Sequence, residues 1–132
     1  MKLANYQDVT LEEVNIDGAK DVKIRWLISE DDKAPNFAMR LFEVQPNGHT
    51  PYHKHDWEHE VFIVEGKGIL KTKTGEKKFS TGDAIFVDPQ KYHNFTNTGE
   101  SILRFLCVIP HQNKPKKKKN ANPFASGKAN NC

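Results

Sequence analysis

From Val22 onward the chain is a succession of short β-branched and aromatic runs, at 22–29, 37–45, 59–65, 68–73, 77–80, 84–88, 92–97 and 101–109. Runs of that length suit strands and leave no room for a long helix. Between them stand Pro46-Asn47-Gly48, Glu65-Gly66-Lys67-Gly68, Thr74-Gly75, Thr81-Gly82-Asp83, Asp88-Pro89 and Thr98-Gly99, residue types that accept a positive φ or fix a negative one. Connections this short join antiparallel neighbours. Roughly eight strands in about 90 residues conceal their edges best by rolling into a double-sheet barrel. The expected fold is all-β, a single-domain jelly-roll β-barrel over 22–112. An N-terminal segment, 1–21, precedes it, and a basic C-terminal tail, 113–132, follows. Within the first segment, Thr10-Leu-Glu-Glu13 reads either as a capping box for one helical turn or as an acidic loop.

Charge separates the tail from the body. Residues 113–132 hold six of the 20 basic residues and no acidic one, which leaves 14 basic against 17 acidic residues in 1–112. The net charge of +3 therefore says nothing about the barrel's own ligand. Phe124 is the one large apolar residue of Lys114–Cys132, so this stretch buries too little to order itself and is expected to be disordered or docked. Lys116–Lys119 lack arginine and interleaved aromatics, a weak signal for nucleic acid, and the tail is read as solvated. Cys107 and Cys132 are too few for a disulfide framework. No run of 18 apolar residues and no secretory core occur, so the expectation is a cytoplasmic protein that neither spans a membrane nor is exported.

The chemistry concentrates in His53-Lys54-His55-Asp56-Trp57-Glu58-His59 and in His93. Residues 53 and 55 project from one strand face about 6.6 Å apart, near enough to share an ion. His59 has the same parity, but a straight strand would carry it about 13 Å beyond His55, so the chain must bend at Asp56-Trp57-Glu58. His93 follows a proline turn, and a rolled barrel would bring it opposite the first three. An isolated His-x-His pair is commonly an exposed polar pair; four histidines in a barrel pattern favour a metal, which relieves the cost of crowding imidazoles on an apolar face. His49 and His111 are read as surface residues.

Gly48–Gly66 and Gly82–Asn97 resemble the two motifs of the cupin superfamily, with the spacing from His93 to Asn97 retained. The resemblance spans roughly residues 20–110. The slot where most cupins place glutamate holds His59, with Glu60 one step later on the opposite face; Pro89 and Lys91 also depart from the second motif. These departures, with Ala34-Pro-Asn-Phe37, Trp57-Glu-His59 and Phe105-Leu-Cys-Val-Ile-Pro110, are similar to a narrower group, the small single-domain manganese cupins with four histidine ligands. The resemblance implies a compact jelly-roll (cupin) barrel, usually dimeric, holding Mn2+ or Fe2+ through His53, His55, His59 and His93, with Ni2+, Cu2+ and Zn2+ as alternatives.

Four neutral imidazoles leave a divalent ion's charge uncompensated, and an octahedral ion keeps two positions for waters, a bidentate anion, or substrate beside dioxygen or peroxide. The expected function is a metal-dependent oxidoreductase, dioxygenase-like, acting on a small organic substrate. A non-catalytic metal or small-ligand binding module and a metal-assisted isomerase or lyase are the alternatives. No side chain is a convincing acid or base, so no catalytic residue is assigned beyond the ligands. Parity places Val61 and Ile63 with His59, Phe95 and Asn97 with His93, and Leu103, Phe105, Cys107 and Ile109 inward. Trp57 lies at the bend, and Arg40, if inward, would select an anion. The substrate-binding candidates are Arg40, Trp57, Val61, Phe95, Phe105 and Cys107. Asp56, Glu58, Glu60 and Asn97 are the acceptors expected to orient the ligand rings, and metal loss is expected below about pH 6, where imidazoles of ordinary pKa protonate.

Overall fold

A computed structural model describes residues 1–112 and 130–132. Among the described residues nine strands form: β1 Glu12–Glu13, β2 Lys20–Ile28, β3 Phe37–His49, β4 His59–Glu65, β5 Lys67–Thr72, β6 Gly75–Ser80, β7 Ala84–Val87, β8 His93–Asn97 and β9 Leu103–Pro110. Eight of them match the sequence runs to within a few residues. The ninth, β1, occupies half of the Thr10–Glu13 stretch: Glu12 and Glu13 pair with Ile24 and Lys23 rather than starting a helix. Short 3-10 turns stand instead at Tyr6–Asp8 and Glu30–Asp32, the latter closed by a reciprocal Ser29/Asp32 capping box. Among the described residues no helix is long and apolar enough to cross a membrane.

All the pairings are antiparallel, in the order β6-β5-β8-β3-β9-β4-β7, with β2 on β3 and β1 on β2. The long β3 makes the jelly roll possible. Its first part, Phe37–Val44, pairs with β9 on one side while Met39–Val44 pairs with β2 on the other, and its last residue, His49, crosses to Thr96 of β8. One strand thus joins the two sheets and curls them around a shared interior.

Alternation fills that interior. Along β9 every second residue from Leu103 to Ile109 is buried, and Phe105 stacks on Phe42, its register partner, with ring centroids 5.2 Å apart. Arg104 faces the other way, bonding Glu43 at 3.1 Å and Glu65 at 3.0 Å, while Arg25 reaches Glu43 at 3.5 Å. The buried Glu43 carboxylate therefore has two guanidinium partners. The β4–β5 connection needs glycine twice. Gly66 has φ +104°, and a Cβ on Gly68 would lie 2.1 Å from the Thr96 carbonyl of β8.

The lysine-rich stretch 113–129 lies outside the described residues. Beyond it the chain returns to the barrel. Cys132 is buried, with Asn130 and Asn131 partly so. The sequence reading had given Cys132 no place in the fold.

Candidate metal centre

The site is built by a broken connection and two strand ends. After β3 the chain runs extended through His53, whose backbone exchanges hydrogen bonds with His93 at 3.1 and 2.9 Å. It bends at Asp56-Trp57 and enters β4 at His59. That bend supplies the turn the spacing required, and Gln90 secures it by donating to Asp56 at 2.5 Å. Four imidazole rings meet as a result. The ring centroids lie 4.2 Å apart for His53–His55, 4.4 Å for His55–His59, 5.0 Å for His53–His93, 5.2 Å for His59–His93 and 5.4 Å for His55–His93.

Convergence of rings is not yet a common ligand set. His53, His55 and His93 offer ligand atoms that all lie within 4.8 Å of one another, whereas His59 groups with Cys107 and Cys132 on the same criterion. The described residues thus hold a histidine triad and a His/Cys triad, each able to hold a metal ion, in place of one four-histidine set read straight from the geometry. The cause is local: His59 Nδ1 stands 3.1 Å from Cys107 Sγ and 3.7 Å from Cys132 Sγ. Its Nε2 is buried without a hydrogen-bond partner. A buried, unpaired ring nitrogen beside three others is the kind of atom a metal ion satisfies.

Three of the rings, His53, His55 and His59, are held neutral. Burial, then repulsion from His93, lowers the His53 pKa from 6.5 to about 4. Burial, followed by repulsion from His53, His93 and Arg40, lowers His55 to about 3. Burial, with the Arg40 cation next, pushes His59 lower still. His93 is oriented by the main chain, its Nδ1 lying 2.8 Å from the Lys91 carbonyl. Nε2 points inward, 3.0 Å from the main-chain oxygen of Cys132, so each ring nitrogen faces a carbonyl oxygen and a neutral ring donates to one of them. The orienting partners are therefore Lys91 and Cys107 rather than the expected acceptors. Asn97 instead bonds Val44, Ser101 and Gly99, and Glu58 and Glu60 face solvent.

Around the rings stand the six substrate-binding candidates. Trp57 stacks on His55 at 4.6 Å and 16°. Phe95 meets His93 edge-on at 6.0 Å and packs on Phe105 at 5.0 Å. Val61 is buried beside Cys107, its register partner across β4 and β9. Arg40 points inward and is fully buried, between the Phe42 and Trp26 rings at 5.0 and 5.6 Å. Its Nη2 donates to Cys107 Sγ at 2.9 Å and its Nη1 to the Asn131 carbonyl at 2.6 Å. Burial alone would raise the Cys107 thiol, but the hydrogen bond from Cys132 and the Arg40 cation outweigh it and lower its pKa. Burial and the bond to Cys107 push Cys132 well up, so Cys132 donates to Cys107. His49 and His111 stand apart from this cluster, in intermediate positions bonded to the Thr50 and Ala34 carbonyls.

A histidine cluster inside a two-sheet jelly roll can be set beside known proteins. The family described as the cupin domain matches residues 40–109. The chain is a cupin. An oxalate-binding protein of Thermotoga maritima is 32% identical over 108 residues, 77% of this cupin and 88% of that protein. Among solved structures, the polyketide cyclase RemF from Streptomyces resistomycificus is 38% identical with a TM-score of 0.79, covering 83% of this cupin and 79% of RemF. A predicted oxalate decarboxylase from Thermotoga maritima is 26% identical with a TM-score of 0.75, covering 83% and 98%.

The docked alternative for the tail holds at Asn130–Cys132; what sequence reasoning missed in this cupin is that Cys132 meets Cys107 and the histidines. Asn130–Cys132 has no periodicity and follows a lysine-rich stretch. The one available signal was that Cys107, read as inward, had a second cysteine in the chain to meet.

Proposed function

We propose that this cupin binds one divalent metal ion through His53, His55, His93 and His59, manganese first, with iron, nickel, copper and zinc as alternatives, and uses it to bind and activate a small, oxygen-rich anionic molecule. The observation that carries this reading is the triad of ligand atoms within 4.8 Å of one another, on His53, His55 and His93; burial lowers the pKa of the first two and keeps their lone pairs free. The residues fit such an ion: the donors are imidazoles, and His59 Nε2 is buried and unpaired on a ring whose centroid lies 4.4 Å from that of His55 and 5.2 Å from that of His93. When bound, a divalent ion supplies Lewis acidity, and an all-imidazole set cancels none of its charge.

The chain's own residues do the rest. The Lys91 carbonyl, beside His93 Nδ1, would hold the ring with Nε2 inward once an ion replaces the Cys132 oxygen there. Trp57, Val61, Phe95 and Phe105 line an apolar wall that excludes water. Arg40 supplies a buried cation that would pair with a carboxylate or enolate oxygen. On the outer side, a groove of about 540 Å3 beside His93 carries four lysines, Lys54, Lys73, Lys77 and Lys91, against one acid, Asp88, a balance that favours approach by an anion. The names of the relatives, an oxalate-binding protein and a polyketide cyclase, support oxygen-rich organic molecules as the ligand class.

The test is metal analysis of the native protein, followed by titration of the metal-loaded protein with small dicarboxylates, keto acids and polyketone mimics. Binding that His93→Ala abolishes supports the reading; metal-free protein, or binding indifferent to that change, contradicts it. Oxygen or peroxide consumed with the bound ligand would assign the oxidoreductase, and anaerobic turnover the isomerase or lyase.

A further inference from the structure

The returning segment is gripped at three consecutive residues. Trp26 Nε1 donates to Asn130 Oδ1 at 3.1 Å, Arg40 Nη1 to the Asn131 carbonyl at 2.6 Å, and the Cys132 main-chain oxygen stands 3.0 Å from His93 Nε2. The Cys132 and Cys107 sulfurs are 2.7 Å apart, and both residues are fully buried. The two bonds from Trp26 and Arg40 come from side chains of β2 and β3, and the cysteine that meets Cys132 lies on β9, so three strands of one sheet shape a seat for 130–132. The segment fills the space onto which the inward nitrogen of His93 opens, the place an outside ligand of this centre would take.

We propose that Cys107 and Cys132 are a peroxide-oxidisable thiol pair whose disulfide locks residues 130–132 across the histidine centre, closing it to outside ligands until a thiol reductant releases it. The Cys107 sulfur, charge-stabilised by the Arg40 Nη2 donor at 2.9 Å, attacks one peroxide oxygen. The O–O bond breaks, water or an alcohol leaves with a proton, and Cys107 becomes a sulfenic acid. The Cys132 sulfur attacks the Cys107 sulfur, its proton leaves with the hydroxyl as water, and the S–S bond forms. Two thiols lose two electrons and two protons in total, and the peroxide gains both. Peroxide reaches Cys107 when 130–132 withdraw, and their return delivers the resolving thiol. A dithiol reverses the reaction by exchange.

The latch does not depend on which metal the centre holds, and its test uses the metal-stripped full chain, so it fails or stands separately from the proposed function. Hydrogen peroxide in slight excess should take the free thiols from two to none. Peptide mapping should find Cys107 joined to Cys132 within one chain. Diethyl pyrocarbonate labelling of His93 and His55 should slow by about tenfold relative to the reduced protein, and dithiothreitol should restore it. Cys132→Ser should keep the reduced labelling rate after peroxide, and a sulfenic-acid trap should find Cys107 in that variant. Thiols that survive peroxide, a cross-link between chains, or a disulfide that leaves histidine labelling unchanged would each overturn the proposal.

Discussion

Four crowded imidazoles make acid the informative perturbation of the metal-stripped protein. Above pH 6.5 the rings of His53 and His55 are neutral whether the chain is folded or unfolded, and contribute no pH dependence. Between pH 6.5 and about 4 the unfolded chain takes up protons that the folded barrel refuses, because burial and mutual repulsion lower the folded values to about 4 and about 3. Stability must therefore fall as the pH falls through that window. One pKa unit corresponds to about 1.36 kcal/mol. His53 remains partly open to solvent and the two rings share one mutual repulsion, so the pair together contributes about 2–4 kcal/mol between pH 6.5 and 4.5. Urea unfolding, followed by the fluorescence of Trp26 and Trp57, measures it. The predicted quantity is the difference in slope between the native sequence and His53→Asn/His55→Asn, which removes both titrating groups. Equal slopes would refute the idea that the barrel holds these rings neutral. The same lowered values revise the pH at which metal leaves. Loss below about pH 6 follows from ordinary imidazoles, whereas rings that resist protonation to about 4 should still hold metal at pH 5.

Further expectations concern the frame and the assembly. Gly68→Ala drives a methyl against the Thr96 carbonyl and should cost about 3 kcal/mol in urea unfolding; a neutral outcome would mean that β5 and β8 do not approach as described. Glu43→Ala removes the buried carboxylate that Arg25 and Arg104 share, leaving Arg104 only the exposed Glu65, and should cost about 2–3 kcal/mol, more than Glu65→Ala at the exposed end of the same network. Phe105→Ala should cost about 3–5 kcal/mol, since the ring is buried between Phe42 and Phe95. The dimer implied by the resemblance has a candidate face in Phe62 and Phe86, exposed by 47% and 57% on the adjoining strands β4 and β7. Light scattering should show a dimer that Phe86→Glu dissociates, and a native monomer would remove that face from consideration.

The barrel was legible because period-two burial and turn residues are local signals, and both survive folding intact. The inward set of β9, from Leu103 to Ile109, and the shared face of His59, Val61 and Ile63 follow from parity alone. The bend at Asp56-Trp57 followed from distance, since a straight strand could not bring His59 back. Arg40 was undecided at that level because the sequence shows apolar neighbours on both of its faces; only the pairing of β3 with β9, which sets Arg40 opposite Cys107, decides its direction. Thr10–Glu13 misled for a related reason, since a capping pattern states a local preference that pairing with β2 overrides. The partners that orient the rings were illegible because they are a carbonyl, on Lys91, and a thiol rather than the nearby carboxylates. Cys132 reaches the site from far along the chain, and no spacing rule registers a contact of that range.

The proposed centre requires His53, His55, His59 and His93 to act together on one metal ion. The most direct measurement is the metal content of the native protein and of the four single His→Ala variants, with Glu60→Ala alongside, by plasma mass spectrometry after gel filtration. About one equivalent should be present in the native protein and in Glu60→Ala, and each histidine variant should lose affinity by about a hundredfold or more. A native protein without metal, or metal that survives His59→Ala and leaves with Glu60→Ala, would contradict it.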